Sequence, residues 1–237
     1  MFSQLLHNSA KVGEFVKLIF ANCNHSRKEQ HLKASKIKFL TKLTMAEPPP
    51  PPPPPQSNHT QSPIYLRRLT LSDVDDFMVW ASDDLVSRFC RWDTFTSKDD
   101  ALNYLTTTVL PHPYFRAICL RNNNRPVGAI HVEPFPGNYR CKGMLGYALA
   151  SEYWGRGIAS TAVEMVATEI FEEWPHLERL EAFVDVENSA SMRVLEKVGF
   201  VREGVMRKSY ILKGRTIDMV VFSMLDSERS RKREILI

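Results

Sequence analysis

The chain has no Cys-x-x-Cys pair and no grouping of cysteine with histidine; Cys23, Cys90, Cys119 and Cys141 stand far apart in 237 residues. That spacing offers neither a zinc ligand set nor a disulfide framework, and it reads as reduced thiols in an intracellular compartment. No apolar run is long enough to cross a membrane as a helix, and the longest near the start, 15–21, is interrupted by Lys17. Gly-Lys-Ser/Thr is missing, which excludes the phosphate loop of an NTPase. Gly-x-Gly-x-x-Gly is missing too, because Ser160 occupies the third position after Gly155 and Gly157, which argues against a dinucleotide fold. Glycine is scarce, with only 10 residues, so two of them close together in one turn stand out.

Charge is present but uneven. The net charge is +4, yet residues 1–44 alone hold eight Lys/Arg against Glu14 and Glu29, so the remainder is mildly acidic. A basic total therefore gives no reason to expect nucleic acid as a partner. A composition of 43% hydrophobic and 24% charged residues suits a soluble globular chain.

Eight consecutive prolines at 48–55 form an extended polyproline II rod that joins neither a helix nor a central strand. They mark a boundary, serving as a tether or as a ligand for a proline-binding domain. Residues 1–62 are expected to be a disordered basic extension, 63–226 the folded domain and 227–237 a basic tail around Arg229, Arg231, Lys232 and Arg233. Within the extension, either 1–44 is an organelle transit peptide, placing the protein in a plastid or mitochondrion, or Met45 is the working start of a cytoplasmic protein.

The folded part mixes both periodicities. Strands are expected at 64–69, 114–121, 126–132, 143–150, 180–186, 205–212 and 216–225, and helices at 73–80, 99–110, 157–171 and 189–198. Ser97 with Asp100 reads as a helix start, and Asn122-Asn123-Asn124 as a turn suited to positive φ. Along 157–171, Ile158, Ala162, Met165, Val166 and Ile170 make a helical stripe broken by Glu169. The fold class is α/β (or α+β): one sheet of six or seven strands flanked by helices.

The stretch 147–160 ends a strand, turns on Gly155-Arg156-Gly157 and at once opens a helix. That order presents free N–H groups at a helix N-terminus, where a phosphate can sit, although a tight turn needs no ligand. A second stretch, 185–200, ends a strand, caps a helix with Asn188 and stops it at Gly199; capping chemistry alone accounts for it.

Together, Trp154-Gly155-Arg156-Gly157-Ile158-Ala159 and Asn188, Ser191 and Gly199-Phe200 resemble the GNAT superfamily of acyl-CoA N-acyltransferases, in particular the ribosomal-protein N-terminal acetyltransferase branch. The resemblance covers about 63–226, and Trp154 stands where Arg or Gln is usual. It implies a mostly antiparallel sheet splayed in the middle and acetyl-CoA as cosubstrate, with no metal. The pantetheine arm would pair with the backbone of Tyr147, Ala148 and Leu149, and the pyrophosphate would lie on Gly155, Arg156, Gly157, Ile158, Ala159 and Ser160. Asn188 would bond the cofactor arm, and Ser191 would donate a proton to the sulfur or orient it; the competing role for Ser191 is to satisfy a helix N–H.

The resemblance also leaves a gap. Where related enzymes carry a glutamate in the penultimate strand, Ser209-Tyr210 stands here, making Tyr210, with Tyr139, a fallback polar group. A site without a strong base suits an α-amine: deprotonation at pH 7 costs about 1.4 kcal/mol near pKa 8, against about 4.6 kcal/mol for a lysine-like amine. Residues 73–100 carry eight Asp, an acidic wall expected to attract the cationic amine or else to serve as helix caps. The expected acceptor is a primary amine, above all a protein N-terminus, with a polyamine or other small amine as the alternative and a silent acyl-CoA-binding module as the rival. The expected state is a monomer.

Overall fold

The strands Pro126–Pro134 and Arg179–Asp185 bury most of their residues, whereas Val201–Leu212 is exposed along nearly all of its length. The computed structural model describes residues 62–228; the proline tract, the rest of the amino-terminal extension and the basic cluster from Arg229 onward lie outside the described residues. In chain order the elements are β1 (Ile64–Arg67), α1 (Val74–Ala81), α2 (Asp84–Ser87) and α3 (Lys98–Tyr104), which runs on as a π turn at Leu105–Val109. Next come β2 (Phe115–Leu120), β3 (Pro126–Pro134), β4 (Lys142–Leu149), α4 (Ile158–Glu173) and β5 (Arg179–Asp185). The fold closes with α5 (Ser189–Val198), β6 (Val201–Leu212) and β7 (Arg215–Leu225).

The seven strands form one sheet in the order β1-β2-β3-β4-β5-β7-β6, antiparallel throughout except for β4 against β5. This is the mixed, mostly antiparallel sheet that the resemblance implied. The β4–β5 pair holds at only three positions, ending at Met144 opposite Glu181. Beyond them β4 follows β3 as far as Leu149, and β5 follows β7 as far as Asp185. The sheet therefore opens into a V at its middle.

Two cores flank the sheet. On one face α4 buries Ala162, Val163, Val166 and Ile170 against Ile118, Ile130, Leu145 and Leu180. Glu169 lies outside that stripe, exposed, and accepts from the Tyr114 hydroxyl at 3.5 Å. On the other face α1 and the π turn that continues α3 place Phe77, Trp80 and Leu105 over the small side chains Ala117, Ala129 and Ala148. Large residues on helices meeting alanines on strands let the layers approach closely without voids.

Three local features depart from the sequence reading. The short α2 is too brief for any periodicity to show; it starts because the Asp83 carboxylate accepts the Leu85 N–H at 2.8 Å. Strand β6 begins at Val201, four residues earlier than expected, since Val201 pairs with Ser223 across β7. A register shift between Met206 and Tyr210 then absorbs extra residues in β6. Among the described residues no helix is long and apolar enough to cross a membrane.

Candidate active site

The V opens beside the start of α4. Gly155 and Gly157 adopt φ of +74° and +78°, the left-handed region that side chains disfavour. Gly157 caps α4 without any side-chain bond, and the first bond closing the helix runs from the Thr161 N–H to the Gly157 carbonyl at 3.0 Å. The earlier amides of the first turn have no intrahelical partner, so they and the helix dipole favour an anion. A Cβ added at either glycine would meet nothing within 4 Å, so the space over the turn is open to a ligand.

A cavity of about 420 Å³ joins that turn to the V. Its walls include Tyr147, Ala148 and Leu149 of β4, Gly155, Gly157, Ile158, Ala159 and Ser160 of the turn and α4, and Asn188 and Ser191 of α5. Arg156 and Tyr210 are not among the lining residues. The Arg156 guanidinium lies over the Tyr153 ring at 5.3 Å, and Tyr210 sits half-buried on β6 opposite Ile217. Tyr139, half exposed in the turn before β4, is likewise not a lining residue.

Other lining residues were not singled out from the sequence. Leu85, Val86, Phe89 and Cys90 reach the cavity from α2 and the turn after it, brought there only by the tertiary fold. Arg193 and Lys197 line it from α5. Their signal was available: they stand four apart on a helix, on the face that Ala190 and Val194 also present to the cavity. These two cations and the uncapped helix start make one end of the cavity a fit for a polyphosphate, while the apolar side chains of α2 and β4 suit the linear arm of a thioester donor.

The polar groups at the V are tightly arranged. Asn188 Oδ1 accepts the Ser191 N–H at 3.1 Å, fixing the first turn of α5. The Tyr147 hydroxyl lies 2.7 Å from Ser191 Oγ and donates to the Ser191 carbonyl at 3.2 Å. Burial pushes the Tyr147 phenol up to about 12, with the bond to Ser191 pulling the other way. Burial likewise raises the Cys90 thiol to about 12, opposed by the charges of Lys213 and Arg91. Trp154, where the resemblance led one to expect Arg or Gln, donates its indole N–H to the Leu149 carbonyl at 2.8 Å, so it ties the loop to the end of β4.

The acidic stretch 73–100 is largely engaged elsewhere. Asp73 takes a two-pronged bond from Arg67 at 2.8 Å and the Thr70 N–H at 2.8 Å. Burial pulls its carboxyl upward, but Arg67 and Thr70 outweigh that and hold it below the usual range. Asp75 pairs with Lys98, and Asp76 with Arg125. Asp83 accepts from the Ser151 hydroxyl and Asp84 from the Thr94 hydroxyl, both at 2.5 Å. None of these aspartates lines the cavity.

A splayed sheet with a helix start of free amides at its opening suits a phosphate-bearing donor with a linear arm. The sequence profile of the acetyltransferase (GNAT) domain matches residues 64–201. The uncharacterized N-acetyltransferase p20 of Bacillus licheniformis is 28% identical over 169 residues, 69% of this chain and 93% of its own. Two solved structures share the fold at lower identity. RimL, a ribosomal L7/L12 alpha-N-protein acetyltransferase in complex with coenzyme A, superposes with a TM-score of 0.61 at 21% identity over 71% of this chain and 97% of its own. Spermidine N-acetyltransferase from Vibrio cholerae, in complex with CoA and spermine, gives 0.61 at 19% identity over 71% and 98%. The chain belongs to the GNAT acetyltransferase family. It is an N-acetyltransferase, and its acyl donor is acetyl-CoA.

Proposed function

We propose that this enzyme acetylates the α-amine at the N-terminus of a protein. One observation carries the reading: among the described residues lining the cavity there is no Asp or Glu, and the basic side chains there are Arg193 and Lys197. Deprotonating an α-amine at neutral pH costs about 1.4 kcal/mol, which a water chain can meet, whereas a lysine- or polyamine-like nitrogen costs about 4.6 kcal/mol and calls for a strong base. A polyamine also needs anionic groups to hold its remaining ammonium centres, and the cavity lining supplies none.

In this reading the amides at the start of α4, with Arg193 and Lys197, hold the phosphates of the donor. The side of β4 turned away from β3, which has no strand partner beyond Met144, accepts the arm as an added strand, and Asn188 keeps the first turn of α5 in place. Acetyl-CoA supplies the activated acyl group, and Ser191 faces the sulfur it leaves behind. Free thiols at Cys90, Cys119 and Cys141 suit a reducing, cytoplasmic setting.

Initial rates on three acceptors test the proposal: a peptide whose only amine is its N-terminus, the same peptide blocked there but carrying one lysine, and spermidine. The α-amine peptide is expected to be the best substrate by kcat/KM. A clear preference for lysine or spermidine would overturn the assignment.

A further inference from the structure

Tyr147 belongs to β4 and Ser191 to α5, 44 residues on, yet their hydroxyl oxygens lie 2.7 Å apart inside the cavity. Tyr147 follows the last β4–β5 pair, Met144 with Glu181, by three residues, so it stands where the sheet opens. Its ring packs on the α4-side core, which fixes where the hydroxyl points. Ser191 is held at two atoms: Asn188 Oδ1 takes its N–H at 3.1 Å and Tyr147 contacts its Oγ. A serine needing only to satisfy a helix amide would not require a phenol at its hydroxyl.

We propose that Tyr147 and Ser191 form a two-member proton relay, in which Tyr147 is the acid that ultimately supplies the leaving sulfur. As the acceptor nitrogen bonds to the acyl carbon, the carbon–sulfur bond breaks and its electron pair stays on sulfur. The single phenolic proton of Tyr147 lies between the Ser191 carbonyl at 3.2 Å and the nearer Oγ at 2.7 Å. As Ser191 passes its hydroxyl proton to that sulfur, the phenol turns to Oγ and replaces it, the phenolate regains a proton from water, and the proton lost by the amine goes to solvent. Ser191 ends neutral, so the serine never has to become an alkoxide. Tyr147 stays protonated throughout the neutral range, because burial raises it to about 12. The relay rests on the acetyl-transfer reading of the site but not on which amine is acetylated.

The experiment compares wild type with Tyr147→Phe, Ser191→Ala and the double variant under single-turnover conditions, with CoA affinity by calorimetry and folding by thermal melting alongside. Phenylalanine keeps the packing, so Tyr147→Phe should melt near wild type and bind CoA within about twofold while losing about 10- to 100-fold in rate. Two groups in one relay should not multiply, so the double variant should be no slower than the slower single one. A proton inventory in mixed light and heavy water should curve for wild type, with two protons in flight, and become linear in Tyr147→Phe. A near-wild-type rate in Tyr147→Phe, multiplying losses, or an unchanged inventory would each overturn the relay. Should wild type accept spermidine but no peptide, the acceptor assignment falls, and the relay is then judged on spermidine rates.

Discussion

Trp154 ties together two pieces of the proposed donor site. Its indole N–H holds the Leu149 carbonyl at 2.8 Å while the ring stays half exposed against the cavity. The bond fixes the last residue of β4 relative to the glycine turn, the two pieces of backbone that the proposed donor site combines. A net hydrogen bond of about 0.5–1.5 kcal/mol corresponds to roughly 2- to 10-fold in affinity. Trp154→Phe, which keeps a ring but no donor, should raise the KM for acetyl-CoA by about that factor and leave kcat nearly unchanged; an unaltered KM would show that the bond does not position the turn. Gly157 should respond more severely. At φ +78° any side chain costs about 1–2 kcal/mol of backbone strain, and a carboxylate there would also meet the phosphates. Gly157→Glu should therefore abolish acetyl-CoA binding in a calorimeter, while Gly157→Ala weakens it.

At the scale of elements, β3 and β4 lock together through a histidine. His131 on β3 faces Gly146 on β4, stacks on Phe115 with ring centroids 5.3 Å apart, and would be struck at 2.4 Å by a Cβ at Gly146. Burial, reinforced by Arg91 and His112, drives its pKa down to about 3, so the fold holds the neutral imidazole. Because the folded value lies below the unfolded one near 6.5, this contribution to stability is complete above pH 6.5 and drains away as pH falls toward 3, at up to about 1.4 kcal/mol per unit. Urea midpoints at several pH values should fall less steeply on acidification for His131→Gln than for wild type; parallel slopes would show that His131 does not carry the acid sensitivity. Neither the histidine's role nor α2 was legible in the sequence, because both depend on neighbours distant along the chain. The strands, α4, α5 and the glycine turn were legible, since alternation, helical stripes and positive-φ glycines are local signals. The backbone proposed to bind the donor falls within 147–160, a stretch with local signals of its own, whereas Phe89, Cys90 and the Tyr147–Ser191 contact required the fold.

Across the whole molecule, much of the charge on the aspartate-rich stretch is engaged by partners within the fold. Asp73, Asp75 and Asp76 are neutralised by Arg67, Lys98 and Arg125 on the outer part of the fold, while Asp83 and Asp84 bond hydroxyls of Ser151 and Thr94. The β6–β7 hairpin, by contrast, carries Arg207, Lys208, Lys213 and Arg215 over residues 205–217 with no acid among them. Its tip meets α2, where Lys213 Nζ donates to Ser87 Oγ at 3.4 Å. Arg215 and Arg88 share the single carboxylate of Glu187, at 3.8 and 3.3 Å. Arg88 directly precedes Phe89 and Cys90 of the cavity wall, and Glu187 directly precedes Asn188, so this cationic excess borders the donor cavity rather than some remote surface. An exposed patch of this kind contributes little to stability but steers what approaches, and it does so less in high salt. A peptide with acidic residues behind its α-amine should therefore be acetylated with a higher kcat/KM than one with basic residues. The preference should shrink as salt rises from about 0.05 to about 0.5 M, across which the screening length falls several-fold. The paired reversal Lys213→Glu and Arg215→Glu, assayed at saturating acetyl-CoA, should weaken or invert the preference. Equal rates on both peptides at low salt would mean that the hairpin does not meet the acceptor, and a preference for the basic peptide would restore the acidic stretch 73–100 as the surface that selects it.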